Sequence, residues 1–151
     1  MQRKWFGLAA GLAALGLGLG VTALTFADDE KETPLGLIME KVQKNKSTIT
    51  KGVRNVAAYK KSQADVEKAA KEWVKQAKEA KPLNDVVKAS KEPDAQKKWD
   101  SLMGVWEKEA QKLADMAAKS DSSQKDVKDQ LNTINKNCTE CHTVFRIEED
   151  F

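Results

Sequence analysis

The chain has 151 residues, enough for one domain with a sizeable core, and 40% of them are hydrophobic. Its 26 basic residues stand against 23 acidic ones, a formal net charge of only +3. Such a dense, nearly balanced mixture suits a solvated helical surface and gives no support to nucleic-acid binding.

The first stretch, "MQRKWFGLAAGLAALGLGLGVTALTFA", carries Arg3 and Lys4, then an uncharged Leu/Ala/Gly run, then small residues around Thr25 and Ala27. A basic start, an apolar middle and a small-residue exit describe a secretory signal peptide over residues 1–27, with cleavage expected after Ala27. The alternative is a retained anchor, because the apolar run is long enough to span a bilayer. Either way the folded part is expected outside the cytoplasm, in the periplasm, and at the membrane only if the segment is kept. Removing residues 1–27 takes away two bases and no acid, which leaves 24 against 23 and a net charge of +1. Residues 28–33 form a polar leader. Lysine-dense stretches such as "KNKSTITK" read as solvated faces, with steering of an acidic partner as the weaker use.

From residue 34 to 151, apolar residues fall at helical spacing. Pro34 suits the first helical position with Thr33 as its cap. Leu35, Ile38, Met39, Val42, Ile49, Val53 and Val56 then continue a first helix to about residue 60. Ser62 or Asp65 is expected to start a second helix, whose stripe is Val66, Ala69, Ala70, Trp73, Ala77 and Ala80. Pro82 ends it. Residues 83–92 make a connection with room for one helical turn. Pro93 is expected to open a third helix carrying Ala95, Trp99, Leu102, Met103, Trp106, Ala110, Leu113 and Ala117. "SDSSQKD" breaks the pattern, and Ser123 with Asp126 forms a capping-box start for the fourth helix. That last helix carries Val127, Leu131, Ile134, Cys138, Cys141 or His142, and Phe145. With no strand signal and no Gly-rich phosphate loop, the expected fold is all-α, an up-down-up-down antiparallel four-helix bundle.

The fourth helix holds both cysteines of the chain and its single histidine within "CTECH", Cys138 to His142. A structural zinc site needs four ligands, and no second ligand pair exists. A thioredoxin-like dithiol belongs beside a βαβ pattern, which is absent. A disulfide across a two-residue gap would close a loop too short to stabilise much. The remaining chemistry is covalent attachment of haem c, for which C-x-x-C-H is the signature. Cysteines three apart on a helix share one face, so both can form thioethers to the vinyl groups along one haem edge. The adjacent histidine is then placed to ligate the iron.

"CTECHTVFR" resembles the class II cytochromes c, the cytochrome c′ type, in the full pattern C-x-x-C-H-x-x-[FY]-R: Cys138, Cys141, His142, Phe145 and Arg146. The resemblance extends over the predicted mature chain in helix layout, but only this terminal motif is specific. It implies an exported four-helix bundle with one haem, and a place for Arg146 near the proximal side of that haem. A surface arginine at a helix C-terminus, favourable to the helix dipole, is the plainer role.

With one histidine, a monomer must fill the sixth iron position with methionine, a weaker ligand, or nothing. In an up-down-up-down bundle the first helix starts where the fourth ends. His142 is then roughly 7 Å from that end and Met39 at nearly the same depth, with Met103 about 15 Å down and Met116 near the opposite end. Met39 is therefore the expected sixth ligand. This resembles the low-spin subgroup of the family, whereas the five-coordinate members cover the iron with a bulky apolar residue, a role open to Leu35, Ile38 or Val42. The expected function is that of an extracytoplasmic electron carrier, not an enzyme, working with redox partner proteins. The alternatives are a five-coordinate haem protein binding NO or CO, and a haem-free helical interaction module with a disulfide. Homodimerisation, common in the resembling family, is left open by the sequence.

Overall fold

A computed structural model describes residues 33–146 of the chain. The expected signal segment, residues 1–27, and residues 28–32 of the expected leader lie outside the described residues. Among the described residues every element is a helix and there is no strand: α1 (Pro34–Gly52), α2 (Val56–Ala80), α3 (Asp85–Ala89), α4 (Ala95–Ala118) and α5 (Gln124–Phe145). No helix among them is long and apolar enough to cross a membrane.

The first boundary differs from the sequence expectation. The first helix does not run to residue 60; α1 stops at Gly52, where the Val53 N–H closes on the Ile49 carbonyl at 2.9 Å. Asn55 then caps α2, its Oδ1 accepting from the Ala58 N–H at 2.8 Å. Val53 is buried and Val56 exposed. Their three-residue spacing mimics a continuing stripe, although one belongs to the turn and the other to the next helix. Ser62, expected as a helix start, instead sits inside α2 at non-helical angles (φ −123°, ψ 16°). Its hydroxyl donates to the Ala58 carbonyl at 2.7 Å, a back-bond that accompanies helix bending. Asp94, not Pro93, borders α4, in the left-handed region at φ 57°, which a short polar side chain tolerates better than most.

The later elements follow the sequence closely. α2 ends at Ala80, just before Pro82, and the single turn α3 occupies the connection. Ser123 caps α5, accepting from the Asp126 N–H at 3.1 Å and donating to the Asp126 carboxylate at 2.7 Å. The helices pack through their apolar stripes into one core that includes Ile49, Val66, Trp73, Trp99, Leu113, Val127 and Ile134. α2 carries the most extensive packing, against α1 on one side and α4 on the other. α5 lies along α4, α3 touches α4, and α1 meets α5 at only a few points.

Gly52 shows how tightly α1 sits on α2. A Cβ there would lie 2.5 Å from Val66 Cγ2 and 3.1 Å from the Ser62 hydroxyl. Replacing a helical glycine by alanine normally gains about 0.5–1 kcal/mol, but overpacking a rigid contact costs about 1–3 kcal/mol. Gly52→Ala is therefore expected to lower the unfolding free energy by about 1–2 kcal/mol. Urea denaturation followed by circular dichroism checks this, and adding Val66→Ala to the variant should return part of the loss.

Candidate functional site

Two polar side chains of α5 fix its rotation on α4. Gln130 donates from Nε2 to the Glu109 backbone carbonyl at 3.0 Å and to its carboxylate at 2.8 Å. Asn137, buried, donates from Nδ2 to the Leu102 carbonyl at 3.2 Å. Beyond them the Phe145 ring meets Trp99 edge to face, centroids 5.3 Å apart at 85°, an arrangement favoured by the aromatic quadrupole. With Gln130, Asn137 and Phe145 held on α4, the neighbouring positions Cys138, Cys141 and His142 face the seam between α5 and α1.

A cleft opens along that seam, with a cavity volume of about 90 Å³. α5 contributes Asn137, Cys138, Cys141 and His142; α1 contributes Met39, Val42, Gln43 and Lys46; α4 contributes Met103 and Trp106. Its lining holds two thiols, one imidazole and two thioethers, and no carboxylate. Four of the five residues singled out from sequence, Cys138, Cys141, His142 and Met39, thus come together. The fifth, Arg146, does not enter the cleft. It is exposed and lies in a separate groove with Thr139, Thr143 and the other side of His142.

Met103 is a correction to the depth estimate. Counting 1.5 Å per residue from each helix start set it too far from the histidine, yet it is buried and shares the cleft with Met39. The count assumes that helix starts are level and ignores the length of both the side chains and the cleft. Met116 does lie elsewhere. Of the apolar residues that could cover the iron, Val42 lines the cleft, while Leu35 and Ile38 do not. Lys46, Gln43, Trp106 and Asn137 were not legible as site residues. Lys46 belongs to the lysine-rich stretch that reads as a solvated face, and Trp106 and Asn137 look like ordinary members of a helix stripe and a polar surface.

Both cysteines are free thiols. Burial raises the Cys138 pKa, an effect that nearby Lys46 partly opposes. Burial pushes the Cys141 thiol up to about 11, with Cys138 and Glu140 adding to the rise. The His142 pKa is lowered, first by partial burial of the ring and then by the positive charges of Arg146 and Lys46. A lowered value keeps the imidazole neutral at pH 7, the form that binds a metal. Among the described residues no three His, Cys, Asp or Glu side chains gather into a cage for a bare ion.

The sequence matches no protein-family model, no curated protein and no solved structure. The site is therefore argued from its own chemistry. Haem c fits the residues present. The cleft walls are mostly apolar, two free thiols stand three apart on one helix, and a neutral imidazole lies beside them. A thioether sits on the facing helix, and no acidic group repels the carboxylates of the porphyrin.

The raised Cys141 pKa sets a reactivity. In the haem-free chain at pH 8, only about one Cys141 in a thousand is thiolate, against about a quarter for an ordinary thiol. Cys141 should therefore react with iodoacetamide ~100-fold more slowly than a free peptide thiol, and speed up roughly tenfold per pH unit until about pH 11. Peptide mass spectrometry of timed alkylations checks this.

Proposed function

We propose that the chain is an exported class II cytochrome c, a four-helix-bundle protein that carries single electrons on one covalently attached haem. A single observation carries the proposal: Cys138, Cys141 and His142 of α5 and Met39 of α1, with three helices between them in sequence, line one apolar cleft. The bundle architecture is supported by contacts that run in opposite order along successive helices. On α1 and α2 these are Val42 with Trp73 and Gly52 with Val66. On α2 and α4 they are Gln63 with Ala117 and Lys78 with Glu107. On α4 and α5 they are Leu102 with Asn137 and Glu109 with Gln130. In this architecture α3 is a turn within the long connection.

Haem bound there would supply a one-electron change between Fe(II) and Fe(III). The chain's own residues do the rest. Cys138 and Cys141 hold the group by thioether bonds, and neutral His142 offers a ring nitrogen to the iron. Met39 offers its sulfur from α1, and thioether ligation raises the reduction potential relative to histidine alone. Val42, Met103 and Trp106 keep water from the cleft, which lowers the reorganisation that accompanies electron transfer. Both thiols and the imidazole are taken up in holding the haem, so the proposal is a carrier rather than an enzyme. Its partners are redox proteins outside the cytoplasm. The signal-like segment 1–27 supports export to the periplasm.

Arg146 is proposed to act on the outer side of His142, where its charge favours the neutral ring. A second reading, a five-coordinate haem that binds NO or CO, draws on Val42, an apolar side chain able to cover the iron from α1.

The absorption spectrum of mature holoprotein tests both. A pyridine haemochrome of c type is expected, and it should disappear in the Cys138→Ala, Cys141→Ala double variant. The ferric protein is expected to be low-spin, and Met39→Ala should convert it to high-spin and open it to CO on reduction. A wild-type protein already high-spin and CO-binding would replace the carrier with the gas-binding reading. A chain without covalent haem, even when matured by a cytochrome-assembly system, would remove both.

A further inference from the structure

Two polar groups of the cleft, on α1 and α4, are not used by thioether attachment or iron ligation. Trp73 and Trp99 each donate their indole N–H to a backbone carbonyl, of Val42 at 3.1 Å and of Lys81 at 2.9 Å. Trp106 is different. It lines the cleft and is only 4% exposed, yet its Nε1 is buried without any hydrogen-bond partner. Buried indole N–H groups are normally paired, so an unpaired one at a cavity wall points to an acceptor that arrives with a ligand.

A second donor stands on the same cleft. Lys46 of α1 is half-buried, lines the cleft, and makes no ion pair among the described residues. Its charge reaches both Cys138 and His142. The titratable groups facing the cleft are Lys46 from α1 and Cys138, Cys141 and His142 from α5; α4 contributes none. Among the described residues the cleft therefore carries a cation and a free N–H donor with nothing acidic to neutralise them.

Resting on the haem reading above, we propose that Lys46 and the Trp106 indole N–H are the carboxylate-binding residues of the site, which orient the cofactor by holding its propionate groups. The chemistry of the group supplies the complement. Its vinyl groups and its two propionates occupy opposite edges of the porphyrin, so a vinyl edge tied to α5 leaves the acidic edge for the other walls. Lys46 is the one cation on those walls, and an ammonium paired with a carboxylate holds it ionised.

The test uses holoprotein, with the midpoint potential measured spectroelectrochemically between pH 5 and 8 in wild type, Lys46→Gln and Lys46→Arg. An ionised propionate favours Fe(III). Held ionised by Lys46 across this window, it gives wild type and Lys46→Arg a flat profile. In Lys46→Gln its pKa rises into the window, so the Fe(II):Fe(III) ratio at fixed potential should fall at least threefold as pH increases. In parallel, the 15N-indole signal of Trp106, assigned with Trp106→Phe, should move to a hydrogen-bonded position between haem-free and reduced haem-loaded protein. A Lys46→Gln potential offset equally at every pH, which marks a through-space effect on the iron alone, overturns the proposal. So does an unchanged profile or an unmoved Trp106 signal. A chain that carries no covalent haem refutes the function proposed above instead, so the two failures are distinguishable.

Discussion

The contact between α4 and α5 governs everything else at the site. A helix buried by its apolar stripe alone can rotate by some tens of degrees at small cost, because hydrophobic burial has no direction. Hydrogen bonds have one. Gln130 and Asn137, both buried, donate to backbone carbonyls of α4 at two places seven residues apart on α5. Two fixed points on the same face leave α5 a single rotation. That rotation turns Cys138, Cys141 and His142 toward α1, and the Trp99–Phe145 ring contact pins the end of the helix.

The opposite seam is loose, and the cleft depends on that looseness. α1 is fastened on its α2 side, by Trp73 donating to the Val42 carbonyl and Asn45 donating to Gln76 at 3.3 Å. The close approach at Gly52 adds a third attachment near the end of α1. On its α5 side α1 makes few contacts. A helix held along one flank and spaced along the other leaves a slot, and its walls are whichever side chains the two flanks present. Met39 and Val42 supply the apolar wall; Gln43 and Lys46 supply the polar one.

Electrostatics in this slot are set by burial and by positive charge that has no acidic partner among the described residues. Burial alone would raise the thiols and lower the imidazole, and both shifts favour neutral groups. Lys46 and Arg146 flank the imidazole from two directions, one within the cleft and one in the outer groove. A neutral imidazole between two cations suits a ligand to a metal centre better than it suits a proton donor.

Much of the fold was legible in the sequence because local signals coincided with tertiary ones. Pro34, Pro82 and Ser123 mark helix ends by backbone chemistry that needs no partner, and the structure keeps all three. The boundary near residue 53 was not legible, since Val53 and Val56 reproduce helical spacing across a turn. There the decisive signals were Gly52, which fits against Val66, and Asn55, whose side chain caps α2.

The sequence by itself determined that two thiols and an imidazole share one neighbourhood, because two cysteines and a histidine fall within five residues of one helix. It also determined the helical class, through the spacing of apolar residues. Only the tertiary structure decided which side chains from other helices join them: Met39, Met103, Lys46 and Trp106 in the cleft, and Arg146 outside it. The physical reason is that periodicity fixes which face of a helix is buried, while the offset and rotation between helices come from long-range packing and from hydrogen bonds such as Asn137 to Leu102.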